Sequence, residues 1–167
     1  MPPAPRTAPR TWAELCNDPS LQDLPYKIET NARGQIVMSP IYAWHGRFAY
    51  QIAQLLEEHL PDGHASVELA IRTTAGTKVA DAIWCTAERW GKIKDAYDAP
   101  IAPEICVEVL SLTNTEAEME AKRALYFEAG AKEVWLCDRE STLSFYDASG
   151  VLESSYRVPS FLVTVSL

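Results

Sequence analysis

The stretch "EICVEVLSLTNTEAEMEAKRALYFEAGAKEVWLCD", residues 104–138, decides the fold of this chain. Its first part, Ile105-Cys106-Val107-Glu108-Val109-Leu110, is nearly continuously apolar, as a central strand covered on both faces must be. From about Thr115 to Ala129 the apolar residues recur at helical spacing, and Gly130 supplies the stop. "KEVWLCD" is a second buried strand. Strand, helix and strand in this order form a crossover unit, whose two strands run parallel in one sheet. One residue disturbs the first strand. A buried, unpaired carboxylate costs several kcal/mol or takes up a proton, so Glu108 requires a partner.

Outward from this unit, the preceding strands are "SVELAIRTT" (66–74) and "TKVADAIWC" (77–85). Before them, Trp44 to His59 reads as a helix with Phe48, Ala49, Ile52, Leu55, Leu56 and His59 on one face. "YKIETNARGQIVMSP" reads as an N-terminal hairpin turning at Asn31–Gly34. Thr11 and Glu14 form a capping box for a short helix. "STLSFYD", "ASG" and "VLESSYRV" form a C-terminal hairpin. The expected architecture is α/β (α+β): a mixed central β-sheet flanked by helices, with a hairpin at each end.

The chain has 167 residues, a length that suits one domain with a sizeable core. Residues 1–10, with prolines at 2, 3, 5 and 9, read as a flexible lead-in, and 11–167 as a single domain. No apolar run approaches the roughly 20 residues that span a bilayer, and no secretory signal opens the chain, so no membrane partner is expected. Cys16, Cys85, Cys106 and Cys137 form no CxxC pair, and three of them lie in apolar runs. Buried, reduced thiols in a cytoplasmic protein are expected, rather than a zinc site. The net charge of −8 counts against a simple nucleic-acid-coating protein. It leaves room for an enzyme that meets phosphate through a bound cation. The basic run "ERWGKIK" (88–94) reads as a solvated loop.

Two further charges join Glu108. Asp81 lies on the preceding strand, between Val79 and Ile83 on its face. Successive strands neighbour each other about two-thirds of the time. At about 100° per residue, Lys122 falls among Met119, Leu125, Tyr126 and Ala129, the helix face that covers the sheet. Two carboxylates suit Mg²⁺ or Mn²⁺, hard cations that keep several waters and can grip a phosphate. A lysine beside them can orient the attacking water or neutralise charge. The plainer reading is a buried Asp–Lys–Glu ion-pair network without catalysis.

At this point the chain resembles a known family. Asp81, then Glu-Val-Leu-Ser closing a buried strand, Lys-x-x-x-Tyr on the next helix, "AGAKEVWLCD", and "GQIVMSP" followed by a histidine resemble the restriction endonuclease-like family of small bacterial proteins. That family belongs to the PD-(D/E)XK nuclease superfamily, and the resemblance runs from about Thr11 to Tyr146. It implies a restriction-endonuclease-like core and a metal-dependent DNA endonuclease that leaves a 5′-phosphate. Asp81 and Glu108 are the implied metal ligands, joined by the main-chain carbonyl of Val109. The usual third residue of the E-x-K triplet is Leu110 here, and Lys122 stands where the resemblance moves the lysine. Ala80 replaces the usual proline before the aspartate. His45 matches the family's histidine and reads either as catalytic or as a packed imidazole near a helix start. Glu68 reads either as an extra acid or as a partner for Arg72 or solvent.

Two other functions are weighed. One is a nuclease-like scaffold that binds nucleic acid or a protein and cuts poorly or not at all. The other is a metal-free glycosidase, which leaves the inward lysine without a role. A homodimer is expected, because two active sites can address the two strands of a duplex.

Overall fold

A computed structural model describes residues 9–166. Residues 1–8 of the expected lead-in lie outside the described residues, while Arg10 is ion-paired with Asp18. The capping box of Thr11 and Glu14 is formed and starts α1, Trp12–Cys16. Next come the ribbon strands β1 (Tyr26–Thr30) and β2 (Ile36–Pro40), then helix α2 (Ala43–His59) and the long strands β3 (Gly63–Thr73) and β4 (Gly76–Thr86). Helix α3 (Ala87–Ile93), β5 (Ile105–Val109), α4 (Glu116–Glu128), β6 (Glu133–Cys137), β7 (Leu143–Asp147) and β8 (Gly150–Leu152) complete the order.

Among the described residues, β3 to β8 form one mixed sheet in sequential order. Its pairings are antiparallel except for β5 and β6, which are parallel and joined by α4. This is the crossover expected from residues 104–138. Thr115 caps α4 with a second capping box through Glu118, and Gly130 ends it at φ 113°. The strand carrying Asp81 lies beside the strand carrying Glu108: Ala82 pairs with Val107.

Helices cover both faces of the sheet. On one side Phe48, Ile52 and Leu56 of α2 pack against Val107, Val109 and Trp135. On the other, Met119 and Tyr126 of α4 pack against Cys106, Val134 and Leu136. His59, grouped with the buried face of α2 in the sequence, is exposed at the last turn, and Ala53 is buried instead.

The expected N-terminal hairpin forms a separate two-stranded ribbon. β5 pairs with β4 only over residues 82–84, so among the described residues the first half of β4 has no strand on that side. The ribbon is anchored to that half by polar bonds. The Val79 N–H donates to Glu29 Oε1 at 2.8 Å, the Thr77 N–H to Thr30 Oγ1 at 2.7 Å, and Lys78 Nζ to the Thr30 carbonyl at 2.7 Å. The C-terminal hairpin, β7 and β8, instead extends the main sheet.

The run 88–94, expected as a solvated loop, is most of α3. Thr86 caps this helix by accepting from the Arg89 N–H. Ile93 is buried, and Arg89 turns inward to the carbonyls of Ala102 and Gly130. A short helix with a single buried residue has too little periodicity to stand out from a charged loop.

Candidate active site

Residues from the ribbon, α2, β4, β5 and α4 line one cleft of about 600 Å³. Asp81 and Glu108 lie at its floor, with side chains only 5% exposed. Each of their four carboxylate oxygens has a partner. Asp81 Oδ2 accepts the Val109 N–H at 2.7 Å and lies 3.3 Å from His45 Nε2. Glu108 Oε1 accepts the Tyr126 hydroxyl at 2.5 Å and lies 3.0 Å from Lys122 Nζ. The other two oxygens share one cation: Lys27 Nζ is 2.9 Å from Asp81 Oδ1 and 3.5 Å from Glu108 Oε2.

The structure thus brings Asp81, Glu108, Lys122 and His45 together. The helical-wheel reading of Lys122 holds: its ammonium points inward, 2.7 Å from Glu29 Oε1 as well as toward Glu108. His45, in the first turn of α2, bonds the main-chain carbonyl of Val109 at 2.5 Å through Nε2. A carbonyl only accepts, so Nε2 carries a proton here. Glu68 does not pair with Arg72, which binds Asp98 at 2.9 Å. Glu68 is exposed at the cleft wall, with φ 53°. The ladder between β3 and β4 skips it, pairing Val67 with Ala82 and Leu69 with Ala80.

Lys27 and Glu29 are the site residues that sequence reading missed. They alternate with Ile28 on β1, a pattern that ordinarily marks a solvated strand face. Charge counting would have found them. Two buried carboxylates with one lysine leave an excess negative charge, so another cation had to come from elsewhere.

The electrostatics follow from this arrangement. Burial alone would push the Asp81 carboxyl up, but the Lys27 ammonium and His45 outweigh it and hold Asp81 well below the usual carboxylate range. At Glu108 burial dominates, aided by the nearby Asp81 and Glu29 charges, and the net direction is upward despite Lys122 and Lys27. Burial disfavours charge on His45, but its bonds to Asp81 and to the Val109 carbonyl raise it overall. Burial opposes the charge on Lys27 too, and the three surrounding carboxylates raise it well above the usual lysine range.

Among the described residues, no three side chains of His, Cys, Asp and Glu stand together as metal ligands. The donors available are two carboxylates and a carbonyl, a set suited to a hard cation that retains several waters. Two of the carboxylate oxygens already converge on one ammonium, so the position between them accepts positive charge. The donor set therefore fits Mg²⁺ or Mn²⁺, once Lys27 and His45 give up their bonds to it.

Comparisons with known proteins agree with this fold. A crystal structure described as "a putative nuclease belonging to DUF820 from Anabaena variabilis ATCC 29413" superposes with a TM-score of 0.69 over 95% of this chain and 90% of that one. At 20% identity, it establishes likeness of fold. No curated protein matches the sequence. The profile of the Uma2 family, described as "Putative restriction endonuclease", matches residues 14–159, from α1 through the C-terminal hairpin, a span that includes every side chain of the cleft floor. The chain belongs to the Uma2 family.

Proposed function

We propose that the protein is a metal-dependent DNA endonuclease that hydrolyses phosphodiester bonds and leaves a 5′-phosphate. The observation that carries this reading is the convergence of Asp81 Oδ1 and Glu108 Oε2 on one cation position, with Lys122 alongside, in an open cleft. Asp81, Glu108 and the Val109 carbonyl would hold Mg²⁺ or Mn²⁺. When bound, such an ion supplies positive charge to the phosphoryl oxygens and acidity to water. Lys122 orients the attacking water from the α4 side, and Glu29 keeps its ammonium in line. Tyr126 fixes the rotamer of Glu108, and the Val109 N–H that of Asp81. His45 controls whether the Val109 carbonyl is available.

Two observations bear on the remaining expectations. Among the described residues, no helix is long and apolar enough to cross a membrane. Cys85, Cys106 and Cys137 are buried and unpaired, which fits the reducing cytoplasm. A homodimer would offer two clefts to a duplex, and sedimentation at micromolar concentration checks that state.

The test is nicking of supercoiled plasmid with Mg²⁺ or Mn²⁺. Cleavage should vanish without metal and in Asp81→Ala. Lys122→Met should lose cleavage but keep the rise in melting temperature caused by Mn²⁺, because the lysine serves the water. The net charge of −8 favours a second reading, a nuclease-like scaffold that binds a partner and does not cut. Wild type that binds Mn²⁺ yet leaves every DNA substrate intact would select it.

A further inference from the structure

We infer that Lys27 is a tethered cation that holds the metal position and is exchanged for the divalent ion. The inference rests on the proposed metal-binding role of Asp81 and Glu108, and it assigns a function to a residue outside that ligand set. Lys27 Nζ bridges Asp81 Oδ1 and Glu108 Oε2, and those two oxygens have no other partner among the described residues. The outer oxygens of both acids are held by Val109, His45, Tyr126 and Lys122. A cation bridging the two acids and the lysine ammonium therefore occupy the same place, and binding one excludes the other.

The surroundings suit an exchange rather than a permanent ion pair. Lys27 lines the open cleft, and its side chain keeps 17% of its exposure. A long, flexible stem lets the ammonium leave without movement of the backbone. The backbone of β1 is itself fastened to β4 through Glu29 and Thr30. An alternative partner stands close by: Glu29 Oε1 is 3.8 Å from Lys27 Nζ on the same strand. In the metal-free protein the ammonium relieves repulsion between two buried carboxylates. In the loaded protein it is released into the cleft that takes the substrate, where a phosphate is its natural counter-charge. The device sets a threshold: the divalent ion must outcompete a lysine that is always present at the site.

Calorimetric titration with Mn²⁺ tests this on the wild type and Lys27→Met. The variant should bind Mn²⁺ at least tenfold more tightly, while its metal-free form melts at a lower temperature. Unchanged or weaker Mn²⁺ binding by a folded Lys27→Met protein overturns the exchange and leaves the nuclease reading intact. Binding by the variant alone supports the exchange in its strongest form. Absence of binding by both proteins overturns the exchange and the metal-dependent reading together. Should the variant not fold, acetylation of the wild type followed by mass spectrometry decides the matter, with the exposed Lys94 as internal standard. Mg²⁺ should raise the acetylation rate of Lys27 several-fold and leave Lys94 unchanged. A Lys27 rate that is unaltered or lowered by Mg²⁺ overturns the inference.

Discussion

Asp81 and Glu108 sit side by side, yet their environments act on them in opposite directions. Asp81 has a depressed folded value, so its charge contributes stability above the ordinary value of 3.8 that is lost as pH falls through the folded value. Glu108 has a raised folded value, so stability from its protonation is present below 4.5 and lost as pH rises. At neutral pH, Asp81→Asn should therefore destabilise the metal-free protein by about 3 kcal/mol, the cost of breaking a buried pair. Glu108→Gln should be neutral or stabilising, because Lys27 and Lys122 keep Asp81 and Glu29 as partners. Urea denaturation of both variants without metal compares the two. A greater loss in Glu108→Gln would contradict this electrostatic account. His45 supplies a pH test. Its folded value is raised, so its contribution is fully present below 6.5 and disappears as pH rises through the folded value. The stability gap between wild type and His45→Gln, measured without metal, should shrink as pH rises above 6.5. A gap that widens with pH would show His45 to be neutral at the site.

At the scale of elements, the ribbon of β1 and β2 is a separate part that completes the site. The antiparallel pairing of β4 with β5 brings two acids together, α4 adds Lys122, and α2 adds His45. The ribbon then supplies the counter-charges Lys27 and Glu29, held by its bonds to the free half of β4. In this joint Gly76 has φ 91°, and an added Cβ there would lie 2.5 Å from the Thr30 carbonyl oxygen. Both the conformation and the contact exclude a side chain. Gly76→Ala should cost about 2 kcal/mol. It should also displace Lys27 and Glu29, so that Mn²⁺ binding changes along with the melting temperature. A variant with wild-type melting and wild-type Mn²⁺ affinity would show that the ribbon docks independently of this turn.

For the whole molecule, the proposed DNA substrate would have to be met against the net charge. The net charge of −8 repels a polyanion, and the lysines lining the cleft are Lys27, Lys78 and Lys122. With Ca²⁺ replacing Mg²⁺ to prevent cleavage, DNA affinity should fall with salt at a slope of about −3, as about three phosphate contacts imply. Fluorescence anisotropy over a salt series gives that slope. A slope twice as steep would reveal a basic surface beyond the cleft.

The crossover, the buried strands, both hairpins and the triad of Asp81, Glu108 and Lys122 were legible in the sequence. Each leaves a local signal: apolar runs broken by one carboxylate, a helical face interrupted by one lysine, a capping box at Thr11. Such signals arise because period and burial act along a single element. Helix α3 left too few buried positions for a period, and was legible only from its contacts. Lys27 and Glu29 were hidden for a different reason. On β1 they alternate like any exposed pair, and their burial comes from the docking of the ribbon against β4, an event between segments about 50 residues apart. The sequence by itself determined which acids and which helical lysine share the sheet's interior. Only the tertiary structure decided which cation stands between those acids, because a counter-charge can come from any segment that folds within reach.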